Sequence, residues 1–316
     1  MYSIDISIII VTWNVKIYVI DCLRSLVDNV KCNHEIIVVD NASMDGTAEN
    51  IKHEFSNVTL IANNKNIGFA QGNNQGIKIA RGRCILLLNP DTKVLGNAID
   101  RIVELLHSHK DVSIAGGTIL NPDGSLQPSL GLFPSLIRDF LFSCGLTKLF
   151  RNIQQKVRLK YKYNNIKNVI TLNRRYCSGA FLIIRRELFE KIGLLDERYP
   201  LYFEETDFCY RALKSGYKID YFPNVEIIHY GGQSTSQIGV DALNMHFKSL
   251  FMYYSKFFGS WRLICSRFAV FSGSLFRFFF YFPSSIKNYN SIIQHIDTCL
   301  NIAKTAYVGI KSDKKS

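Results

Sequence analysis

Four short apolar runs, at residues 8–12, 35–39, 58–62 and 84–88, alternate with helix-length segments at the start of the chain. A strand buried on both faces reads as a continuous apolar run, and such strands belong to parallel sheets. Parallel neighbours need crossovers, which right-handed βαβ units supply. The intervening segments 17–30, 47–55 and 69–80 read as helices. A predicted helix over 96–108 and a strand over 112–115 continue the rhythm. The expected fold is therefore α/β, a mostly parallel sheet flanked by helices. Residues 121–168 are less regular and basic, as befits an excursion from the sheet. Regular structure returns with a predicted strand over 177–185 and predicted helices over 187–192 and 203–214.

With 47% hydrophobic residues in 316, the chain can cover such a sheet on both sides. Its eight cysteines are dispersed, with no Cys-x-x-Cys pair. That argues against a zinc site or a disulfide framework and for a reducing compartment. Asp5 interrupts the N-terminus before the first predicted strand, so no secretory signal is expected. The net charge of +12 is uneven: residues 245–316 hold ten Lys/Arg against two acids, and residues 148–175 hold nine against none. Basic surface attracts nucleic acid, anionic lipid or phosphorylated substrates. In the C-terminal segment the basic residues are interleaved with aromatics, as in Trp261-Arg262 and Phe276-Arg277-Phe278, a mixture suited to a membrane surface. Arg267 and Arg277 interrupt its longest apolar stretch, 263–282, and argue against a spanning helix. The alternative is a helical pair that packs its aromatics on the protein itself. The charge balance shifts near residue 240, the expected boundary between a domain over 1–240 and a helical, membrane-associating appendage over 241–316.

The run at 84–88 ends in Asn89-Pro90-Asp91-Thr92. Open α/β sheets bind ligands beyond the carboxyl ends of their strands, and an oxygen-ligand pair there suits a hard divalent cation holding a diphosphate. If the strand continues, Asn89 and Asp91 point to one side. The same four residues also favour a plain turn. Asp40 ends the run at 35–39 and opens Asp40-Asn41-Ala42-Ser43-Met44-Asp45-Gly46-Thr47. Its carboxylate can accept from a base N–H or a ribose hydroxyl, whereas Asp45 and Thr47 fit helix caps. No G-x-G-x-x-G precedes it, which leaves dinucleotide binding with little support. The amide- and glycine-rich stretch 63–76, which includes Asn66, Gly68 and Asn73, can bring backbone and amides to a nucleotide. Glu204, Glu205 and Asp207 crowd a helix start. The helix dipole explains one or two acids there; three, beside Tyr202 and Phe203, form a cluster in which burial and like charge raise a carboxyl toward the range of a general base. His229, followed closely by Gly231 and Gly232, taken alone reads as a structural histidine.

Taken in order, Ile8-Ile9-Ile10-Val11-Thr12-Trp13-Asn14, Val38-Val39-Asp40-Asn41, Asn66-Ile67-Gly68-Phe69-Ala70, Leu88-Asn89-Pro90-Asp91, Gly193-Leu194-Leu195-Asp196, the acids at 204–207, Arg211 and His229 resemble inverting family 2 glycosyltransferases. The resemblance covers residues 5–240 and is closest to the rhamnosyltransferase-like subgroup of bacterial surface-polysaccharide synthesis. It implies a GT-A fold with a nucleotide-binding half over 1–120 and an acceptor and catalytic half over 121–240. It also implies a UDP- or dTDP-sugar donor and Mn²⁺ or Mg²⁺. Asp40 would bind the pyrimidine base, with Thr12 and Asn14 nearby, and Asn66, Gly68, Asn73 and Asn89 would complete the donor side. Asp91, matching the second acid of the family's D-x-D motif, and His229 would hold the metal; Asn89 stands where the first acid usually lies. Glu205 matches the catalytic base, with Asp207 and Glu204 as rivals. The implied acceptor is a lipid-linked saccharide, met by a peripheral enzyme on the cytoplasmic face of the cell membrane, and no nucleic acid is expected. Competing readings are a non-catalytic nucleotide-sugar-binding scaffold, a nucleic-acid binder suggested by charge alone, and a nucleotidyltransferase with a similar diphosphate site.

Overall fold

β1 (Ile6–Thr12) is buried along its whole length, so both faces of its sheet are covered. In the computed structural model, which describes residues 3–146, 169–285 and 296–306, it is an interior strand of a nine-stranded sheet. β2 (His34–Asp40), β3 (Val58–Ala62) and β4 (Cys84–Leu88) run parallel to it in the order β3-β2-β1-β4. α1 (Lys16–Asn29), α2 (Thr47–Glu54) and α3 (Phe69–Ile79) are the crossovers. Beyond β4 the direction changes. β10 (Phe181–Arg185) inserts antiparallel between β4 and β6 (Val112–Leu120), and β11 (Lys218–His229) follows parallel to β6. β5 (Thr92–Val94) closes that edge antiparallel to β11, and β8 (Ile170–Thr171) also pairs with β11. A separate ribbon joins β7 (Leu130–Leu132) to β9 (Arg175–Cys177).

Side-chain alternation along β1 divides the core. Ile8 and Ile10 share one cluster with Leu23 and Leu26 of α1 and Ile99 and Ile102 of α4 (Ala98–Ser108). Ile9 shares the other with Ile77 of α3 and with Phe208 and Ala212 of α7 (Glu204–Lys214). α3 lies so close to β1 that a Cβ at Gly76 would sit 2.6 Å from Ile9 Cγ2; its glycines face the sheet for that reason.

Two local expectations change. β4 stops at Leu88, and residues 89–91 turn instead of extending the strand. The Thr92 hydroxyl donates to Asn89 O (2.8 Å) and fastens that turn, so Asn89 and Asp91 do not share a strand face. The stretch 177–185 is two elements, because Ser178 leaves the β7–β9 ribbon and the Phe181 N–H closes a turn on Ser178 O (3.2 Å) before β10 starts.

The chain forms two compact units. One comprises Met1–Phe133, Tyr161–Arg198 and Glu204–Gln237, and holds the sheets with α1 to α4, α6 (Arg186–Ile192) and α7. The other comprises Pro134–Lys160, Tyr199–Phe203 and Ile238–Ser316. It contains α5 (Leu136–Ser143), α8 (Val240–Ser285) and a helix over 296–306. α8 breaks at Gly259, whose φ of 75° leaves the helical region. Asp139 of α5 is buried and accepts from Tyr254 Oη (2.7 Å) and Ser266 Oγ (3.4 Å). Burial outweighs those hydrogen bonds and pushes its carboxyl up to about 6. Past the break, Trp261, Ile264, Phe268, Leu275 and Phe279 recur at helical spacing and are all exposed. By length and composition α8 qualifies as a candidate membrane span. Of the basic stretch at 148–175, residues 148–168 lie outside the described residues.

Candidate active site

Thr12 and Asp40 are register partners at the carboxyl tips of β1 and β2. Thr12 Oγ1 and Asp40 Oδ1 are both buried without a hydrogen-bond partner among the described residues. Buried polar atoms are otherwise almost always paired, so a water or ligand group is the natural partner for this pair. Asp40 Oδ2 is already engaged: it accepts from the Ser43 N–H (3.1 Å) and shapes the following turn. Asn14 braces the same loop, since its N–H donates to Ser43 Oγ (2.9 Å) and its Oδ1 accepts from the Met44 N–H (2.8 Å).

The amide-rich stretch divides into distinct tasks. Asn66 Oδ1 accepts from the Gly68 N–H (2.9 Å), and Gly68 takes a φ of 87° that a side chain would oppose. Asn73 is buried, and its amide donates back to Phe69 O of its own helix (2.9 Å). Asn74 ties α3 to the distant Leu195 through both its oxygen and its nitrogen.

Asn89, Asp91 and His229 come together because β5 and β11 pair with Thr92 opposite His229. His229 Nε2 lies 3.1 Å from Asp91 Oδ1 and 3.2 Å from Asn89 Nδ2. The ring's other nitrogen, Nδ1, is 2.6 Å from Gln127 Oε1. Gln127 Nε2 donates to His229 O (3.1 Å) and Asn121 Oδ1 (2.9 Å). With its amide nitrogen so committed, Gln127 can only accept from His229, and the imidazole proton therefore sits on Nδ1. A neutral ring then turns a lone pair at Nε2 toward Asp91, where a carboxylate and an imidazole acceptor face each other across a gap that a cation would bridge. Burial alone would raise the Asp91 carboxyl; a second proton on His229, at Nε2, would hold it below its ordinary value together with the Gln233 N–H (3.4 Å), and a metal cation in that proton's place would do the same. Among the described residues no three His, Cys, Asp or Glu side chains converge for a metal, so the donor set is this pair plus what a substrate or water adds. Gln127 escaped the sequence reading because it lies in a stretch without periodicity.

At the start of α7 the three acids have different surroundings. Asp207 is buried and paired with Arg211 one turn on (2.6 Å), and Arg211 also donates to Ile192 O and Leu194 O. Glu204 is buried as well. Glu205 remains half-buried. Desolvation raises its carboxyl above the ordinary value despite hydrogen bonds from its own backbone N–H and that of Thr206. A Cβ on Gly179 would sit 3.5 Å from Glu205 Cγ. Next to Gly179, Ala180 O accepts from the Asn89 N–H (3.2 Å). Glu205 and the Asn89–Asp91 turn thus border the same loop. Among the described residues of the sheet unit, Asn14 and Ala42 are the non-glycine residues with positive φ. They stand two positions after Thr12 and Asp40, and backbone strain of this kind is typical of a ligand site.

Comparison with known proteins identifies the family. The description "Glycosyl transferase family 2" matches residues 7–193. The chain is 26% identical over 237 residues to the N-acetylglucosaminyl-diphospho-decaprenol L-rhamnosyltransferase of Mycobacterium tuberculosis, covering 72% of this chain and 76% of that protein. It is 28% identical over 240 residues to the low-salt glycan biosynthesis hexosyltransferase Agl10 of Haloferax volcanii, covering 71% and 67%. Rhamnosyltransferase WbbL of Escherichia coli is 24% identical over 249 residues, covering 75% and 89%. With its mixed, mostly parallel sheet and helical C-terminal region, the chain belongs to glycosyl transferase family 2 as a rhamnosyltransferase-like enzyme of GT-A type.

Proposed function

We propose that this glycosyltransferase is metal-dependent and inverting, and moves a sugar from a UDP- or dTDP-sugar to a lipid-linked glycan acceptor in surface-polysaccharide synthesis. The observation that carries the reading is the Asp91–His229 pair, held 3.1 Å apart with the imidazole tautomer set by Gln127. These side chains fit Mn²⁺ or Mg²⁺, which would neutralise the diphosphate leaving group. Thr12 and Asp40 offer the unpartnered atoms for the pyrimidine, and Asn14, Asn66, Gly68 and Asn89 shape the surrounding donor loops. Asn73, turned onto its own helix, supports that surface from within.

Glu205 takes the proton of the acceptor hydroxyl, whose oxygen attacks the anomeric carbon from the face opposite the diphosphate. Its half-burial and raised carboxyl suit a base. Asp207, committed to Arg211, acts as a clasp that positions α7. The transferase domain spans residues 1–240 and the appendage 241–316. That appendage holds the enzyme on the cytoplasmic face of the membrane, a placement supported by its exposed apolar stripe and basic surplus. The decaprenol-linked substrate in the mycobacterial relative's name supports a lipid-linked acceptor.

The experiment is a turnover screen of UDP-, dTDP- and GDP-sugars with Mn²⁺ or Mg²⁺. Selective turnover of one pyrimidine donor, lost in Asp91→Ala, is the expected result. Undiminished turnover in Asp91→Ala would remove the metal role.

A further inference from the structure

The α8 unit contains an open pocket of about 640 Å³ whose walls come from both sides of the Gly259 break and from the helix over 296–306. Its size is that of a small-molecule site. Three cations, Lys248, Arg267 and Lys304, line it, and none of its lining residues is acidic. Lys248 and Lys304 are exposed, whereas Arg267 is only 8% exposed and its guanidinium lies over the Phe251 ring at 5.2 Å. A guanidinium so held is rotationally restricted and presents a planar fork of donors, which matches phosphate oxygens. The remaining wall combines Phe251, Met252 and Leu263 with four neutral polar residues. Cations beside apolar side chains suit an anion that carries hydrocarbon.

We infer that this pocket binds a phosphate-bearing lipid headgroup, with Arg267 as the oriented donor and Lys248 and Lys304 as mobile charges at the mouth. Binding here is separate from donor chemistry, because every lining residue lies in the α8 unit and Asp40, Asp91, Glu205 and His229 all lie in the other. The lipid source is favoured over free phosphate by the apolar side chains in the wall and by the exposed stripe that begins at Trp261 on the same helix.

The test is flotation of the full-length protein with phosphatidylcholine vesicles, with and without phosphatidylglycerol. Lys248→Glu/Lys304→Glu is compared with Lys52→Glu/Lys78→Glu, which makes the same charge change at exposed residues of the sheet unit. Loss of two lysine contacts with an anionic surface, with two repelled carboxylates in their place, predicts at least about thirty-fold weaker phosphatidylglycerol-dependent binding for the pocket variant. The control variant should fall far less, and binding to pure phosphatidylcholine should be equal in all three. Equal losses in the two variants would mean bulk charge alone and would overturn the pocket, as would no loss in either. Inorganic phosphate, set against chloride of equal ionic strength, separates the sources. Failure of phosphate to compete is expected, and full competition would replace the lipid with free phosphate. Donor hydrolysis by the pocket variant should match wild type, so failure of this inference leaves the transfer reading untouched.

Discussion

Asp207 and Glu205 lie two residues apart, and only one can be the base, so replacing each in turn separates catalysis from scaffolding. Asp207→Asn removes the carboxylate partner of Arg211, whose side chain is 17% exposed against 0% for Asp207. Breaking a buried ion pair typically costs about 3–5 kcal/mol because the surviving charge stays buried. Arg211 keeps its bonds to Ile192 O and Leu194 O, so the low end, about 3 kcal/mol, applies. For 316 residues, at about 2.1 cal/mol/K of unfolding entropy each, that corresponds to a fall in Tm of roughly 4–5 °C. Glu205→Gln instead removes a charge that burial already disfavours. Its Tm should be unchanged or slightly raised, while turnover falls by about 10²–10⁴, the range for a missing general base. Urea unfolding and donor-to-acceptor transfer, measured on the same preparations, read the two effects apart. The assignment is refuted by an Asp207→Asn enzyme of wild-type stability without activity, paired with a Glu205→Gln enzyme of full activity.

Three further outcomes are expected. Gln127→Leu removes the acceptor that keeps the His229 proton on Nδ1, so Mn²⁺ affinity should drop about 10–100-fold; titration calorimetry would expose unchanged affinity as a contradiction. The acid limb of kcat/KM should lie above the 4.5 of an ordinary glutamate, because Glu205 must be ionised and its carboxyl is raised; a limb at or below that value counts against it. Asp139, pushed up from 3.8 to about 6, keeps its proton in the folded state over a range where the unfolded chain has lost it. Its contribution is therefore fully favourable below about 4 and is lost as pH rises through about 6. Asp139→Asn should consequently be more stable than wild type by about 3 kcal/mol at neutral pH and about equal at pH 4, as read from unfolding at both pH values.

The parts of the fold visible in the sequence are those where burial on both faces leaves a local mark. The runs at 8–12 and 84–88, and all but the first residue of 35–39, are apolar and continuous because both sides of β1, of β4 and of the last five residues of β2 are buried. Strand direction leaves no such mark. Residues 181–184 are as apolar as β4, and nothing in them announces an antiparallel insertion between β4 and β6. The Asp91–His229 approach depends on the short β5–β11 pairing, a non-local contact across 138 positions (229 − 91). Likewise, the amides of 63–76 look alike in sequence, yet only their hydrogen bonds separate Asn74, which ties α3 to Leu195, from Asn66, which shapes the loop at Gly68. The Asp207–Arg211 clasp was in principle legible from its i,i+4 spacing.

Coupling of nucleotide to cation at Asp91 and His229 is the property on which the proposed chemistry depends. Calorimetric binding of UDP and dTDP, with Mn²⁺ and then with EDTA, measures that coupling in wild type and in Asp91→Ala. One of the two nucleotides should bind at least about a hundred-fold more tightly with Mn²⁺, and Asp91→Ala should abolish the difference. Equal affinity with and without the cation in the wild-type enzyme, or a cation effect that survives in Asp91→Ala, would contradict the proposed chemistry.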